Sequence, residues 1–183
     1  MHDFNNSKLY LSHLCDSIVI LSFLIFVQEL WLTSSGLCKL NDVHADFNFY
    51  GCSAMDNACS RGIIHGRPFG GVGVLYRRKL SLSIRTVGCH ASSRCVAISL
   101  DVGSVQLLCF GVYLPCDDSS STVLDVFGYI ESVAELYNEY KCLIIGDFNF
   151  KCDATQYGYN EFMSINNDLS LVLCDSMDSN NVG

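Results

Sequence analysis

The sequence predicts a single α+β domain, spanning residues 1–183, in which helices and strands pack as layers. Its composition is 50% hydrophobic and only 16% charged, which favours an extensive buried core over disorder. Apolar runs of strand length alternate with stretches of helical spacing, and hairpin-like pairs of runs occupy the middle of the chain. This mixed order favours a layered α+β sandwich over a doubly wound parallel sheet.

The first elements are predicted to be a short helix and a buried strand. Residues Asn5 to Cys15 carry an imperfect apolar stripe at helical spacing, and Ile18 to Val27 form a continuous apolar run. The run has an alternative interpretation, as the apolar core of a signal peptide or a membrane anchor. It is too short for a membrane-spanning helix, which needs about 20 apolar residues, and Gln28 and Glu29 follow it where a signal peptide has small residues. Its β-branched and aromatic content favours a strand.

The middle of the chain is predicted to be an irregular excursion followed by a meander. Between Thr33 and Gly66 the chain is rich in Ser, Asn, Asp, Gly and Cys without a clear period, which predicts at most one short element. Four successive strands of an antiparallel meander are expected next, the last two joined by a tight turn. These strands are Gly71 to Tyr76, Leu80 to Val87, Arg94 to Asp101 and Val105 to Val112.

The C-terminal third is predicted to hold two helices around one buried strand. Ser119 to Thr122 offer several N-cap residues for a helix that runs to about Tyr140, with apolar residues on one face at helical spacing. A buried strand follows at Cys142 to Gly146. A second helix is expected from about Asn160 to just before Asp168.

Charge and cysteine content limit the partners and the compartment. The net charge of −8 argues against nonspecific binding to free nucleic acid, but it leaves open a site that reaches phosphate through a metal ion. The cysteines number eleven, an odd count with no Cys-x-x-Cys, so the sequence favours neither a disulfide framework nor a zinc site. A reducing compartment, cytoplasm or nucleus, is expected, with no membrane partner.

Polar residues follow three of the apolar runs. Asp147 and Asn149 follow the strand predicted at Cys142 to Gly146. Because side chains alternate along an extended chain, both would point the same way and Phe148 would turn toward the core. Glu29 follows the first apolar run, and Tyr113 follows the last strand of the meander. Should these strands be neighbours in one sheet, the four polar side chains would gather at one edge.

Such a group of side chains suits metal-assisted phosphodiester hydrolysis. Mg²⁺ takes oxygen ligands, usually one or two carboxylates with water and substrate, and neutralises the developing charge. Glu29 fits a metal ligand, and the phenol of Tyr113 fits a donor to a phosphate oxygen. Each residue also has a plainer interpretation: Glu29 as a surface glutamate, Tyr113 as a packing residue, and Asp147 with Asn149 as a simple turn.

Four motifs occur in order along the chain: Phe26 to Glu29, Arg67 to Leu75, Val112 to Pro115 and Ile145 to Asn149. Together they resemble the endonuclease/exonuclease/phosphatase superfamily, and most of all the apurinic-endonuclease-type domain of non-LTR (LINE-like) retrotransposons. The likeness extends from about residue 9 to about residue 173. It implies a four-layer α/β/β/α sandwich of the DNase I-like kind and a Mg²⁺-dependent phosphodiesterase that nicks DNA, with Mn²⁺ as an alternative metal.

The resemblance also implies roles for individual residues and partners for the whole protein. Glu29 would be a metal ligand and Tyr113 a phosphate-site residue, while Asp147 and Asn149 would orient the nucleophile and bind the phosphate. The implied partners are a DNA phosphodiester substrate and a reverse transcriptase fused in a full-length polyprotein.

The sequence departs from the family pattern at both ends. The family begins with a strand bearing a metal-site asparagine, which Asn5 and Asn6 do not replace, and it ends with a catalytic aspartate–histidine strand. No histidine follows His90, and Asp175 and Asp178 lie in a polar tail without a strand pattern. General acid–base groups contribute on the order of 10²–10⁴ in rate. The chain is therefore expected to be an incomplete domain, weak or inactive alone, whose open sheet edges favour aggregation.

Two other functions fit the same sequence. The chain could be a noncatalytic remnant or interaction domain that keeps the sandwich because its core still packs. It could also be a phosphatase of the same superfamily that acts on phosphoinositides or another small phosphoester.

Overall fold

The computed structural model describes residues 23–55, 59, 62, 70–114, 120–150 and 157–172. The predicted N-terminal helix and the first residues of the run from Ile18 lie outside the described residues. So do Arg67 to Phe69, Pro115, and the tail that contains Asp175 and Asp178.

Within the described residues, seven strands form two sheets. The first sheet has the order β1-β3-β2 and is antiparallel throughout, and the second has the order β4-β5-β6-β7, with β6 and β7 parallel. The strands are β1 Leu24–Gln28, β2 Phe47–Cys52, β3 Val72–Arg77, β4 Ile84–Cys89, β5 Cys95–Val102, β6 Val105–Tyr113 and β7 Lys141–Asp147.

Helical segments pack against both sheets. On the second sheet, two longer helices bury a cluster that includes Phe110, Val126 and Ile130. A second cluster lies between the sheets, where Val74 meets Ile98 and other side chains of the second sheet. The helices are α1 Ser34–Leu37, α2 Ser120–Leu136 and α3 Tyr157–Asp168, with 3-10 helices at Cys38–Asp42 and Arg78–Leu80. The predicted α+β class, with packed sheets and helices, is confirmed.

Two predictions about the middle of the chain are wrong. The strand at 72–77 does not belong to the meander: it is the central strand of the first sheet, and the 3-10 helix Arg78–Leu80 leads from it to the second. The meander therefore has three strands, and the first of them starts at Ile84, four residues later than predicted. The stretch read as an excursion also holds more than one element, because α1, a 3-10 helix and β2 all lie there.

The helix boundaries also differ from the prediction. Helix α2 ends at Leu136 rather than near Tyr140, because Tyr137 N–H donates to the carbonyls of both Val133 and Ala134 and the chain then turns. Helix α3 begins three residues before Asn160 and ends at Asp168. No helix in the described part of the chain is long and apolar enough to cross a membrane.

Two glycines allow the close contacts that set the spacing of the strands. A Cβ at Gly146 would overlap the carbonyl of Val112, so β6 and β7 can approach one another at this level only with glycine there. A Cβ at Gly111 would overlap the ring of Phe26, which packs from β1 onto β6. The contact at Gly146 lies between neighbouring strands of the second sheet, and the contact at Gly111 lies between the two sheets.

We expect Gly146→Ala to lower the free energy of unfolding by about 1–3 kcal/mol, because the methyl group must displace backbone and not a flexible side chain. Gly128→Ala is the matched control. An added Cβ at Gly128, on α2, meets nothing within 4 Å, so this change should stabilise the helix by up to about 1 kcal/mol. Urea unfolding of the two variants measures both effects. Equal stability of Gly146→Ala and the unsubstituted chain would contradict the packing described here.

Candidate functional site

Strands β6 and β7 end at the same level, so their last residues lie side by side. Tyr113 is the register partner of Asp147 in the parallel pair. The N–H of Leu114, the residue after Tyr113, donates to the carbonyl of Asp147 at 2.9 Å. Side chains of laterally paired residues share a face of the sheet. The phenol and the carboxylate therefore leave the sheet from adjacent positions.

A tight turn holds Asp147 and Asn149 together. Asn149 has a φ of 51°, and its N–H donates to Asp147 Oδ1 at 3.0 Å. The two residues are thus brought together by an Asx-type turn and not by the extended alternation predicted from the sequence. Phe148 turns into the core as predicted, where its ring centroid lies 4.9 Å from that of Phe162 and 6.5 Å from that of Phe127.

Glu29 reaches this corner from the other sheet. Strand β1 ends at Gln28, and Glu29 has a φ of 49°, which turns the chain out of the sheet. The hydroxyl of Tyr113 donates a hydrogen bond to Glu29 Oε1. The sequence argument placed these residues in one sheet, and that premise is wrong: Glu29 belongs to the first sheet, whereas Tyr113 and Asp147 belong to the second. They gather because the two sheets pack face to face.

The loop after Glu29 is held by backbone contacts with the stretch that leads into β3. Trp31, which has a φ of 51°, donates its N–H to the carbonyl of Gly70 at 3.0 Å. The N–H of Leu30 donates to the carbonyl of Gly71 at 3.4 Å. These two bonds continue the β1–β3 pairing beyond its last strand residues, so the glutamate lies on an anchored segment.

The resulting corner presents oxygen donors to solvent. Glu29, Asp147 and Asn149 are exposed, and Tyr113 is half-buried. No three His, Cys, Asp or Glu side chains in the described ranges are placed to hold a metal ion. The donors at this corner instead suit a hard cation that takes one or two carboxylates and completes its coordination with water or substrate, which is the habit of Mg²⁺.

Arg94 is a residue at this corner that the sequence argument did not identify. The N–H of Tyr113 donates to the carbonyl of Arg94 at 2.8 Å, which continues the β5–β6 ladder by one residue pair. Directly opposed residues share a face of the sheet. Arg94, Tyr113 and Asp147 thus form a row across the ends of three adjacent strands. The signal was available in the sequence: counting back from the β5–β6 turn sets Arg94 opposite Tyr113.

Comparison with known proteins identifies the fold. No family model matches the sequence, and no curated protein does. The backbone, however, is similar to solved structures of the endonuclease/exonuclease/phosphatase family. One such protein from Bacteroides thetaiotaomicron is 12% identical, with a TM-score of 0.58 over 88% of this chain and 59% of its own. The chain therefore has the two-sheet fold of that family.

Other similar structures carry names of different activities. The mannosyl-6-phosphatase Bt3783 of Bacteroides thetaiotaomicron is 15% identical, with a TM-score of 0.58 over 88% of this chain and 62% of its own. The endonuclease domain of TRAS1, a telomere-specific non-LTR retrotransposon, is 10% identical, with a TM-score of 0.56 over 89% of this chain and 64% of its own. The chain thus spans about three fifths of the length of the solved structures it matches.

We expect Asn149→Ala to be about 1 kcal/mol less stable than Asn149→Gly, because a left-handed backbone costs alanine more than it costs asparagine or glycine. Both changes remove the same side chain, so their difference isolates the backbone conformation of the turn. Urea unfolding at neutral pH measures it. If the alanine variant proved as stable as the glycine variant, Asn149 would not occupy the left-handed turn that brings it to Asp147.

Proposed function

We propose that this chain is a phosphoesterase domain whose preferred substrate is the phosphodiester backbone of DNA, of the kind that nicks target DNA for a retroelement. The observation that carries the proposal is the hydrogen bond from Tyr113 to Glu29, which joins the ends of two sheets beside Asp147. The fold supports the hydrolase class, because its neighbours include named nucleases and phosphatases. The TRAS1 endonuclease domain supports the choice of a retroelement enzyme.

In this proposal Glu29 holds Mg²⁺, for which Mn²⁺ can substitute. When bound, the ion neutralises the charge that develops on the phosphate. The Tyr113 hydroxyl was expected from the sequence to donate to a phosphate oxygen. Its one proton is instead donated to Glu29 in the structure, so its role in this proposal is to orient the Glu29 carboxylate. Asp147 accepts a hydrogen bond from the attacking water and so orients it. The Asn149 amide donates to a phosphate oxygen, and the Asx turn fixes its position relative to Asp147.

The isolated chain is proposed to be a slow enzyme. It spans about three fifths of the solved structures that share its fold. It also contains no histidine after His90 to serve as the general acid–base that the family resemblance places near the C-terminus. The site then retains metal binding and phosphate orientation without the proton-transfer contribution of about 10²–10⁴ in rate.

A small phosphoester is the second candidate substrate. The net charge of −8 opposes the approach of a polyanion such as DNA, whereas a small phosphate ester brings less charge to the site. The fold neighbour named as a mannosyl-6-phosphatase is consistent with this alternative. The two substrates are separated by assaying supercoiled plasmid nicking and monoester hydrolysis on the same preparation.

We expect Glu29→Gln and Asp147→Asn each to reduce Mg²⁺-dependent nicking of supercoiled plasmid by about 100-fold or more, because each removes a charge that acts on the metal or the nucleophile. Glu135→Gln, an exposed change on α2, should leave the rate unaltered. The same variants should be tested in the 183-residue chain and in a form extended at both ends.

Calorimetric titration with Mg²⁺ completes this test, because it does not depend on a fast reaction. Glu29→Gln should abolish the binding isotherm, while Glu135→Gln should keep it. Nicking in the extended form that survives Asp147→Asn would contradict the role given to Asp147. Cooperative unfolding with no Mg²⁺ binding and no hydrolysis of either substrate would favour the noncatalytic alternative.

A further inference from the structure

Strand β7 has a free edge within the described part of the chain. It is the terminal strand of the second sheet and pairs with β6 alone among the described strands. The carbonyl of Asp147 points toward β6, because it accepts the N–H of Leu114. Successive residues of a strand direct their backbone groups to opposite edges. Cys142, Ile144 and Gly146 therefore present their N–H and C=O groups on the outer edge of β7.

Open space lies along this edge. A cavity of about 1100 Å³ is bounded by β7, by the end of α2, and by α3 with the residues that follow it. Its lining includes Ile144, which packs toward the helices, and Leu143 and Ile145, which alternation places on the opposite face. A space that touches both faces of a strand runs along its edge. The described residues thus leave room for a further strand beside β7.

One face of β7 carries a cation, two apolar side chains and an anion, in that order. These residues are Lys141, Leu143, Ile145 and Asp147, and all four are exposed. Leu143 and Ile145 are 40% and 38% exposed, although they belong to a strand. In the reverse direction the same face carries an anion, two apolar side chains and a cation. The face is therefore complementary to an antiparallel copy of itself.

We propose that β7 is a self-association edge, which pairs antiparallel with β7 of a second copy of this chain about a two-fold axis at Ile144. The two four-stranded sheets then join into one continuous sheet. Lys141 lies opposite Asp147 of the second copy, and Leu143 lies opposite Ile145 of the second copy. The contact closes on itself, because each copy uses the same edge and leaves no free β7 edge for a third.

Backbone direction and charge select the same register. Residues whose backbone groups point outward must face one another as hydrogen-bonded pairs, which allows registers that differ by two residues. The register that pairs Ile144 with itself also pairs Lys141 with Asp147. A shift by two residues in either direction sets one of these charged residues opposite Leu143 or Ile145. In the chosen register the apolar side chains form non-hydrogen-bonded pairs, in which side chains lie closest.

The dimer is expected to be weak and dependent on concentration. Specific interfaces that hold stable dimers bury about 1,200–2,000 Å² in total. A pair of seven-residue strands provides a smaller contact than that. The inference does not depend on the proposed function, because it concerns only the free edge of β7. It does bring Lys141 of the second copy beside Asp147 at each candidate site.

Sedimentation velocity of the 183-residue chain tests the proposal. We expect a monomer–dimer equilibrium over roughly a 100-fold range of protein concentration. Leu143→Lys should lower the association constant by about 10-fold or more, because it removes an apolar pair twice in each dimer. Leu82→Lys is the matched control: Leu82 is also exposed, and it lies before β4, at the other edge of the second sheet. The control should leave the association constant unchanged.

A double-mutant cycle tests the register. Lys141→Glu should lower the association constant by about 10-fold, because two like-charge pairs replace two opposite-charge pairs. In an Asp147→Asn background the same change should have less than about a twofold effect, since no carboxylate is left opposite residue 141. Asn at 147 keeps an oxygen that can accept the N–H of Asn149, so the turn after β7 is retained.

Several results would overturn the proposal. A monomer at every concentration would do so, and slow amide exchange at Ile144 in that monomer would show that another segment of the chain occupies the edge. Growth beyond the dimer, or equal weakening by Leu82→Lys and Leu143→Lys, would contradict a closed contact at β7. An equal effect of Lys141→Glu with and without Asp147→Asn would contradict the register.

Discussion

The packing of Phe26 against Gly111 is the contact on which the site depends. Glu29 lies three residues after Phe26, and Tyr113 lies two residues after Gly111, so the position of one contact sets the distance between the two strand ends. A side chain at Gly111 would overlap the Phe26 ring, so that ring would have to move from its place on β6. Packing between the sheets therefore brings Glu29 to the site, whereas hydrogen bonding within the second sheet places only Tyr113 beside Asp147.

Individual contacts hold the described turns at the end of the sandwich that carries the site. Phe148, the middle residue of the Asx turn, packs its ring against Phe127 of α2 and Phe162 of α3 and so holds the turn in place. At the same end, the Ser93 hydroxyl donates to the carbonyl of Ser53 at 2.8 Å and so joins the loop after β4 to the end of β2. Strand β7 is less well covered than these turns. It is the last strand of the second sheet among the described residues, and its Leu143 and Ile145 side chains are 40% and 38% exposed. Exposed apolar side chains on such a strand are the feature for which aggregation was expected, and the aggregation itself stays a prediction.

Much of the fold could be predicted from the sequence where apolar residues are dense. The strands of the second sheet and helix α2 follow from apolar runs and from helical spacing, both of which report burial directly. Strand β2 was missed because its apolar residues, Phe47 and Phe49, alternate with polar and small ones inside a polar stretch. The sheet to which β3 belongs could not be predicted, because strand order along the chain does not specify which edges pair. For the site, residue types at strand ends were sufficient to nominate Glu29, Tyr113, Asp147 and Asn149. The Asx turn at Asp147 and the approach of Glu29 from the first sheet could not be predicted, because both depend on contacts between residues in the folded chain.

The most direct test of the central claim is anomalous diffraction from a crystal of the chain soaked in Mn²⁺ and measured at the manganese edge. The account predicts a peak within coordination distance of the Glu29 carboxylate, at the corner where Tyr113 and Asp147 end their strands. A Glu29 carboxylate directed away from Tyr113, or manganese bound elsewhere with none at this corner, would contradict it.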